Sequence, residues 1–196
     1  MAQRRSRATM IAQTTEKLIA AARMAFARDG YAAASMDALT AQAGLTRGAL
    51  YHHFGGKDGL LEAVVRQINQ ELGARLEAVW DSIPNKHAAL RATCDAYLDS
   101  ALEPELQRIL FIDAPAVLGH RLRELDREGS IGPLIEALEE LSLSHGVEIA
   151  DPETLARMLN AVMVDLALWI AGSADPQATL RRAKAGLSHL LDRLGL

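Results

Sequence analysis

Arg47, Gly48, Tyr51 and His52 fall on one side of a short helical pattern, and Leu50 and Phe54 of the same pattern point the other way. A guanidinium, a phenol and an imidazole on one outward face suit phosphate oxygens and base edges. Arg47 and His52 are assigned to base edges. Ser35, Thr46, Tyr51 and Lys57 are assigned to phosphates, Lys57 with help from the positive end of the helix that it opens. His53 is expected to pack or to cap the helix end.

Two short helices meeting at one glycine must position this face. Ser35 caps the first, on which Leu39 and Ala43 share a side at a spacing of four. Gly44 ends it, because a chain turning directly into another helix needs a residue that tolerates positive φ. Leu45 plugs the angle between the helices, and Thr46 caps the second. This is the layout of a helix-turn-helix, which places its second helix in the DNA major groove.

Around it, Phe26, Gly30, Tyr31, Ser35, Gly44, Tyr51, His53, Phe54 and Lys57 stand in the order and spacing of a longer motif. Over roughly fifty residues the chain resembles the DNA-binding domain of the tetracycline-repressor (TetR) family. The resemblance implies a homodimeric regulator, with a helical body that binds small molecules. Thr40 departs from it: the family usually has alanine there, and threonine brings bulk and a hydroxyl that needs a partner.

The net charge of −4 divides unevenly. Residues 1–57 hold eight Lys or Arg, including Arg4, Arg5 and Arg7, against three acids, a net of +5, so the remainder carries −9. A basic head on an acidic body is the arrangement expected when one end meets a polyanion. A solvated basic tail is the other reading of Arg4, Arg5 and Arg7.

Alanine and leucine dominate, aromatics make up 4%, and no alternating β-branched run appears, so the fold class is all-α. The expected division is a helix-turn-helix domain over 1–56 and a ligand-binding and dimerisation domain over 57–196. The first helix is expected over about 11–28. A long one follows from Lys57 to Pro84 without a linker, so that movement in the body reaches the head as rigid displacement. Further helices are expected at about 86–102, 105–112, 116–127, 133–144, 152–172 and 176–193, with breaks at residues such as Pro104, Pro115, Gly129 and Pro133. No apolar run is read as long enough to cross a bilayer and no signal peptide is recognised, so the chain is read as cytoplasmic. The lone Cys94 fits a reducing compartment.

The helix over 152–172 is apolar nearly all round, as a helix buried on two sides must be. A four-helix interface between two copies, formed with 176–193, would cover its second side, and a charge at Ala167 should break it. A central core helix in a monomer is the other reading. Within V-M-V-D-L-A-L-W-I, Asp165 reads as a buried carboxylate that meets a ligand, an arginine across the interface, or a neighbouring helix. Trp80, Cys94, Tyr97, Phe111 and Trp169 are candidates to line an apolar effector cavity, with Asp113 or His120 adding polar contacts; each also suits plain core. His87, His145 and His189 are isolated, and no His or Cys pair has metal-ligand spacing. No catalytic motif, cofactor loop or metal site is found. The expected function is a repressor on a palindromic DNA operator, released by a small, largely apolar effector. The alternative is a ligand-free or structural DNA-binding protein.

Overall fold

A computed structural model describes residues 7–44, 46–146 and 148–196, with only the backbone described for residues 7–11 and 145. Arg4, Arg5 and Leu45 lie outside the described residues, as do the side chains of Arg7 and His145. Every element among the described residues is helical.

The head comprises α1 (Arg7–Asp29), α2 (Met36–Gln42) and α3 (Arg47–Phe54). Leu18, Ala22, Ala25 and Phe26 recur on one side of α1 and are buried, as are Leu39 of α2 and Leu50 of α3. α1 starts at Arg7, about a turn earlier than the expected start near residue 11. α4 (Lys57–Ser82) leaves the head as one helix of 26 residues, roughly 39 Å long. Its buried residues run from Leu60 to Leu72, and Leu76 and Trp80 pack against the core only in part.

In the body, α5 (Lys86–Ser100) lies along α4. The short α6 (Pro104–Leu106) then opens into a π-helical segment (Gln107–Asp113), followed by α7 (Ala114–Leu118). α8 (His120–Asp126) opens likewise into a second π segment (Arg127–Ile131), which runs into α9 (Gly132–His145). The breaks expected at Pro115, Gly129 and Pro133 are therefore absent. Each π segment ends two residues before a proline, and the wider turn accommodates a ring that would strike a carbonyl of a regular α-turn. α10 (Pro152–Ala171) and α11 (Pro176–Leu194) complete the body, each capped by an aspartate, Asp151 and Asp175. One apolar cluster runs from Leu18 in the head through Leu61, Leu98 and Ile109 to Leu159 and Leu191.

α10 corrects three expectations. By length and composition alone it could cross a membrane. Ala156, Leu159, Met163, Ala167 and Ile170 nevertheless face the protein's own core, with Ala167 completely buried, so a charge there strikes the protomer interior instead of an interface. Asp165 is exposed, on the opposite side.

Candidate nucleic-acid interface and effector site

The head presents its candidate residues through local caps. Ser35 Oγ accepts from the Ala38 amide at 3.4 Å, and Thr46 Oγ1 accepts from the Ala49 amide at 3.3 Å. Gly44 takes φ +66° between them, and its N–H reaches the Ala41 carbonyl. The Thr40 hydroxyl is buried and donates to the carbonyls of Met36 and Asp37 at 3.0 and 3.1 Å, so the departure from the family's alanine is satisfied within α2. Arg47, Gly48, Tyr51 and His52 are all exposed. Arg47 Nε pairs with Asp37 Oδ1 at 2.9 Å, but both side chains are largely in solvent, so a phosphate or a guanine can displace the carboxylate at little cost. His53 is half-buried beside Phe54, in line with a packing role.

Lys57 is differently placed from a free phosphate ligand. Its Nζ donates to the Ala32 carbonyl at 3.3 Å and sits 4.5 Å above the Tyr31 ring. Burial pulls its pKa below the ordinary lysine value, and the Asp113 charge partly offsets this. Gly59, which the sequence reading passed over, fixes how α4 meets α3. A Cβ there would stand 1.9 Å from the Phe54 carbonyl oxygen. The sequence did carry a signal, since an interior helix glycine costs about 1 kcal/mol and is kept where a backbone approaches closely.

A second set of contacts ties the turn after α1 to the body. The Tyr31 amide donates to Asp113 Oδ2 at 2.8 Å, and Arg108 Nε meets the same oxygen at 3.1 Å. Gly30, at φ +80°, leaves the room that the Arg108 guanidinium fills: a Cβ would lie 1.8 Å from its Nη2. The Tyr31 hydroxyl donates to Asp58 Oδ1 at 3.0 Å; burial and then this carboxylate push its pKa up to about 12. Arg23 of α1 reaches Glu105 at 2.8 Å and Glu71 at 2.8 Å. Asp113 thus belongs to the junction and not to an effector cavity.

The body candidates do not form one cavity. Tyr97 and Phe111 meet edge to face, 6.4 Å between centroids, and buried Cys94 lies one turn before Tyr97 on α5 with its thiol pushed up to about 12 by burial. Trp80 is elsewhere, at the far end of α4, donating to Glu140 and carrying Lys86 over its ring. Trp169 is 42% exposed on the outer side of α10, under Arg182. His120 is also exposed. Asp165 shares the outer side with Trp169 and Met158, so its expected burial fails within the protomer. Two open surface grooves, of about 430 and 300 Å³, lie between α1 and α4 and beside Arg127 and Arg157, and neither touches Tyr97 or Phe111.

The carboxylate near the aromatic pair is instead Asp126, half-buried at the end of α8. Burial raises its pKa from 3.8 to about 6, and the Asn69 side chain offsets this in part. The same charge, after burial, raises the pKa of the Tyr97 phenol.

Comparison with known proteins finds matches along both parts of the chain. Residues 18–64 match the family described as bacterial regulatory proteins, tetR family, and residues 87–194 match the tetracyclin repressor-like C-terminal domain. The HTH-type transcriptional regulator BetI 1 of Chromohalobacter salexigens is 38% identical over 156 residues, which are 76% of this chain and 73% of that protein. Among solved structures, a TetR-family transcriptional regulator from Pectobacterium atrosepticum superposes with a TM-score of 0.89 at 44% identity, covering 97% of both chains. RolR in complex with resorcinol shares the fold, with a TM-score of 0.74 at 17% identity over 92% of this chain and 90% of that one. The Chromohalobacter and Pectobacterium proteins are transcriptional regulators. With the capped helix-turn-helix at one end and the matching helical body at the other, the chain belongs to the TetR family of transcriptional regulators and carries its DNA-binding helix-turn-helix.

Proposed function

We propose that this protein is a homodimeric repressor, working in the bacterial cytoplasm, that binds a palindromic operator and leaves it when a small, largely apolar effector enters the body. The observation that carries the DNA half is the exposed face of α3, with Arg47, Tyr51 and His52 held outward by a helix whose other side is anchored by buried Leu50. Arg47 and His52 read base edges. Ser35, Thr46, Tyr51 and Lys57 hold phosphates, with Lys57 exchanging the Ala32 carbonyl for a phosphate oxygen. The domains divide at about Lys57, where α4 begins.

The outer side of α10 supports the dimer. Met158, Val162, Asp165 and Trp169 recur there at helical spacing, Met158 at 61% exposure, and Leu190 and Leu194 of α11 are also exposed. Two such helices from each of two copies would cover this surface as a four-helix interface about a two-fold axis. The effector half draws on RolR, a protein of the same fold solved with resorcinol.

Selection of random duplexes by the full-length protein, followed by sequencing, tests the reading. The expected product is a two-fold symmetric site whose half-site centres lie about 34 to 36 Å apart. Enrichment of sequences without two-fold symmetry, or no enrichment, refutes it.

A further inference from the structure

Asp126, Asn69, Tyr97, Thr93 and Phe111 belong to no contact that the helix-turn-helix or the dimer face requires. Tyr97 and Thr93 stand one turn apart on α5, and Phe111 closes against Tyr97 from the first π segment. Asp126 is the residue from which the second π segment departs. The two widened helical turns therefore flank the same cluster, and π segments are frequent where a helix is bent to a functional purpose. The Thr93 hydroxyl is shielded from solvent and has no hydrogen-bond partner. No ion pair reaches Asp126 among the described residues, although the arginines and lysines of the surrounding helices are widely paired. Thr93, Tyr97 and Asp126 are half-buried, whereas Phe111 and the Thr93 hydroxyl are shielded, so a small molecule reaches the hydroxyl by parting these side chains.

A carboxylate drawn into an apolar setting with only an amide beside it lacks its counter-charge. We infer that Asp126 is the polar anchor of the effector site and that the effector is an aromatic or aliphatic compound carrying a protonated amine. The apolar part lies against Tyr97 and Phe111, and the ammonium sits between the Asp126 carboxylate and the Thr93 hydroxyl. Thr93 and Asn69 supply oxygens that accept from the remaining N–H groups. A carboxylate-bearing compound of the same size is rejected by Asp126. This rests on the effector reading above and deepens it by naming the chemical class and the anchor.

The test uses three compounds of one shape, 4-phenylbutylamine, 4-phenylbutan-1-ol and 4-phenylbutyrate, titrated calorimetrically into the full chain without DNA. The amine is expected to bind about tenfold or more tightly than the alcohol, the gain of one desolvated charge pair, and the acid most weakly. Asp126→Asn should bring amine and alcohol together, and Thr93→Val should weaken the amine alone. Glu124→Gln, which removes a nearby exposed charge, should change nothing. Equal binding of amine and alcohol, a preference that survives Asp126→Asn, or no binding of any of the three at millimolar concentration overturns the assignment. Operator release is measured separately by fluorescence anisotropy. An amine that binds through Asp126 without releasing DNA defeats the effector reading and leaves the site standing; release by compounds indifferent to Asp126 does the reverse.

Discussion

Replacing Asp126 by asparagine should stabilise the protein at neutral pH and leave it unchanged in acid. In the folded chain the carboxyl titrates near 6 where it would ordinarily titrate at 3.8, chiefly because burial disfavours the charged form. Between those values the native state binds more protons than the unfolded chain, so stability falls as the pH rises. The penalty is complete above the folded pKa and absent below the unfolded one. At about 1.4 kcal/mol per unit, the span from 3.8 to about 6 sets a ceiling of about 3 kcal/mol. Solvent reaching the half-buried side chain reduces this to about 1 to 2 kcal/mol. Asparagine keeps the shape and a polar contact for Asn69 while removing the charge. Urea denaturation of both proteins at about pH 4.5 and pH 7.5 reads the difference, with other titrating groups cancelling between them. A variant less stable than the parent at pH 7.5, or a gap equal at both pH values, shows that the carboxylate is satisfied in the fold and refutes the reasoning.

Arg47→Ala should cost about 1 to 3 kcal/mol on the selected site and relax preference at one base pair, whereas Lys57→Ala should weaken operator and random duplex alike, both by anisotropy titration. Gly59→Ala forces α4 away from the Phe54 carbonyl, so operator affinity should fall by more than tenfold while circular dichroism still reports a helical chain; unchanged affinity would mean that this approach has slack. Met158→Glu places a charge on the outer side of α10 and should yield monomers by light scattering with normal melting of the protomer, whereas Ala167→Glu, inside the core, should unfold it. Asp113→Ala removes the acceptor shared by Arg108 and the Tyr31 amide and should leave amine binding intact while blunting operator release.

The head was legible because its determinants are local. A capping hydroxyl, a glycine at positive φ and an apolar residue four positions on act within one or two turns, so spacing alone places Ser35, Gly44, Thr46 and Leu50. The body was less so. Asp165 reads as buried because α10 is apolar on two sides, and periodicity does not say which side meets the chain's own core. Asp126 escaped notice in L-R-E-L-D-R-E-G, which reads as a solvated charged run. Its burial follows from tertiary packing beside Asn69 of α4 and Tyr97 of α5, which no local pattern in the sequence reports. Prolines 115 and 133 misled because the wide turns let the helices run through them.

On the proposed effector reading, the junction is the route by which the head follows a change in the body. α4 alone would pass on a tilt through its packing, but the turn at Gly30 and Tyr31 is also gripped by Arg108 and Asp113, both in the π segment that carries Phe111. Arg23 adds a third tie through Glu105, just ahead of that segment, and through Glu71 on α4. On the effector reading, a molecule entering beside Phe111 presses on a segment already wider than an α-helix, whose register is cheaper to change than that of a regular helix. The segment cannot shift without drawing the Gly30 turn, because the space for a Cβ there is filled by the Arg108 guanidinium. A ligand that favours the shifted arrangement by about a hundredfold supplies about 2.7 kcal/mol per site, and two sites in a dimer double it. On that reading the energy reaches the spacing of the two α3 helices in the proposed dimer, the one quantity on which simultaneous entry into two major grooves depends.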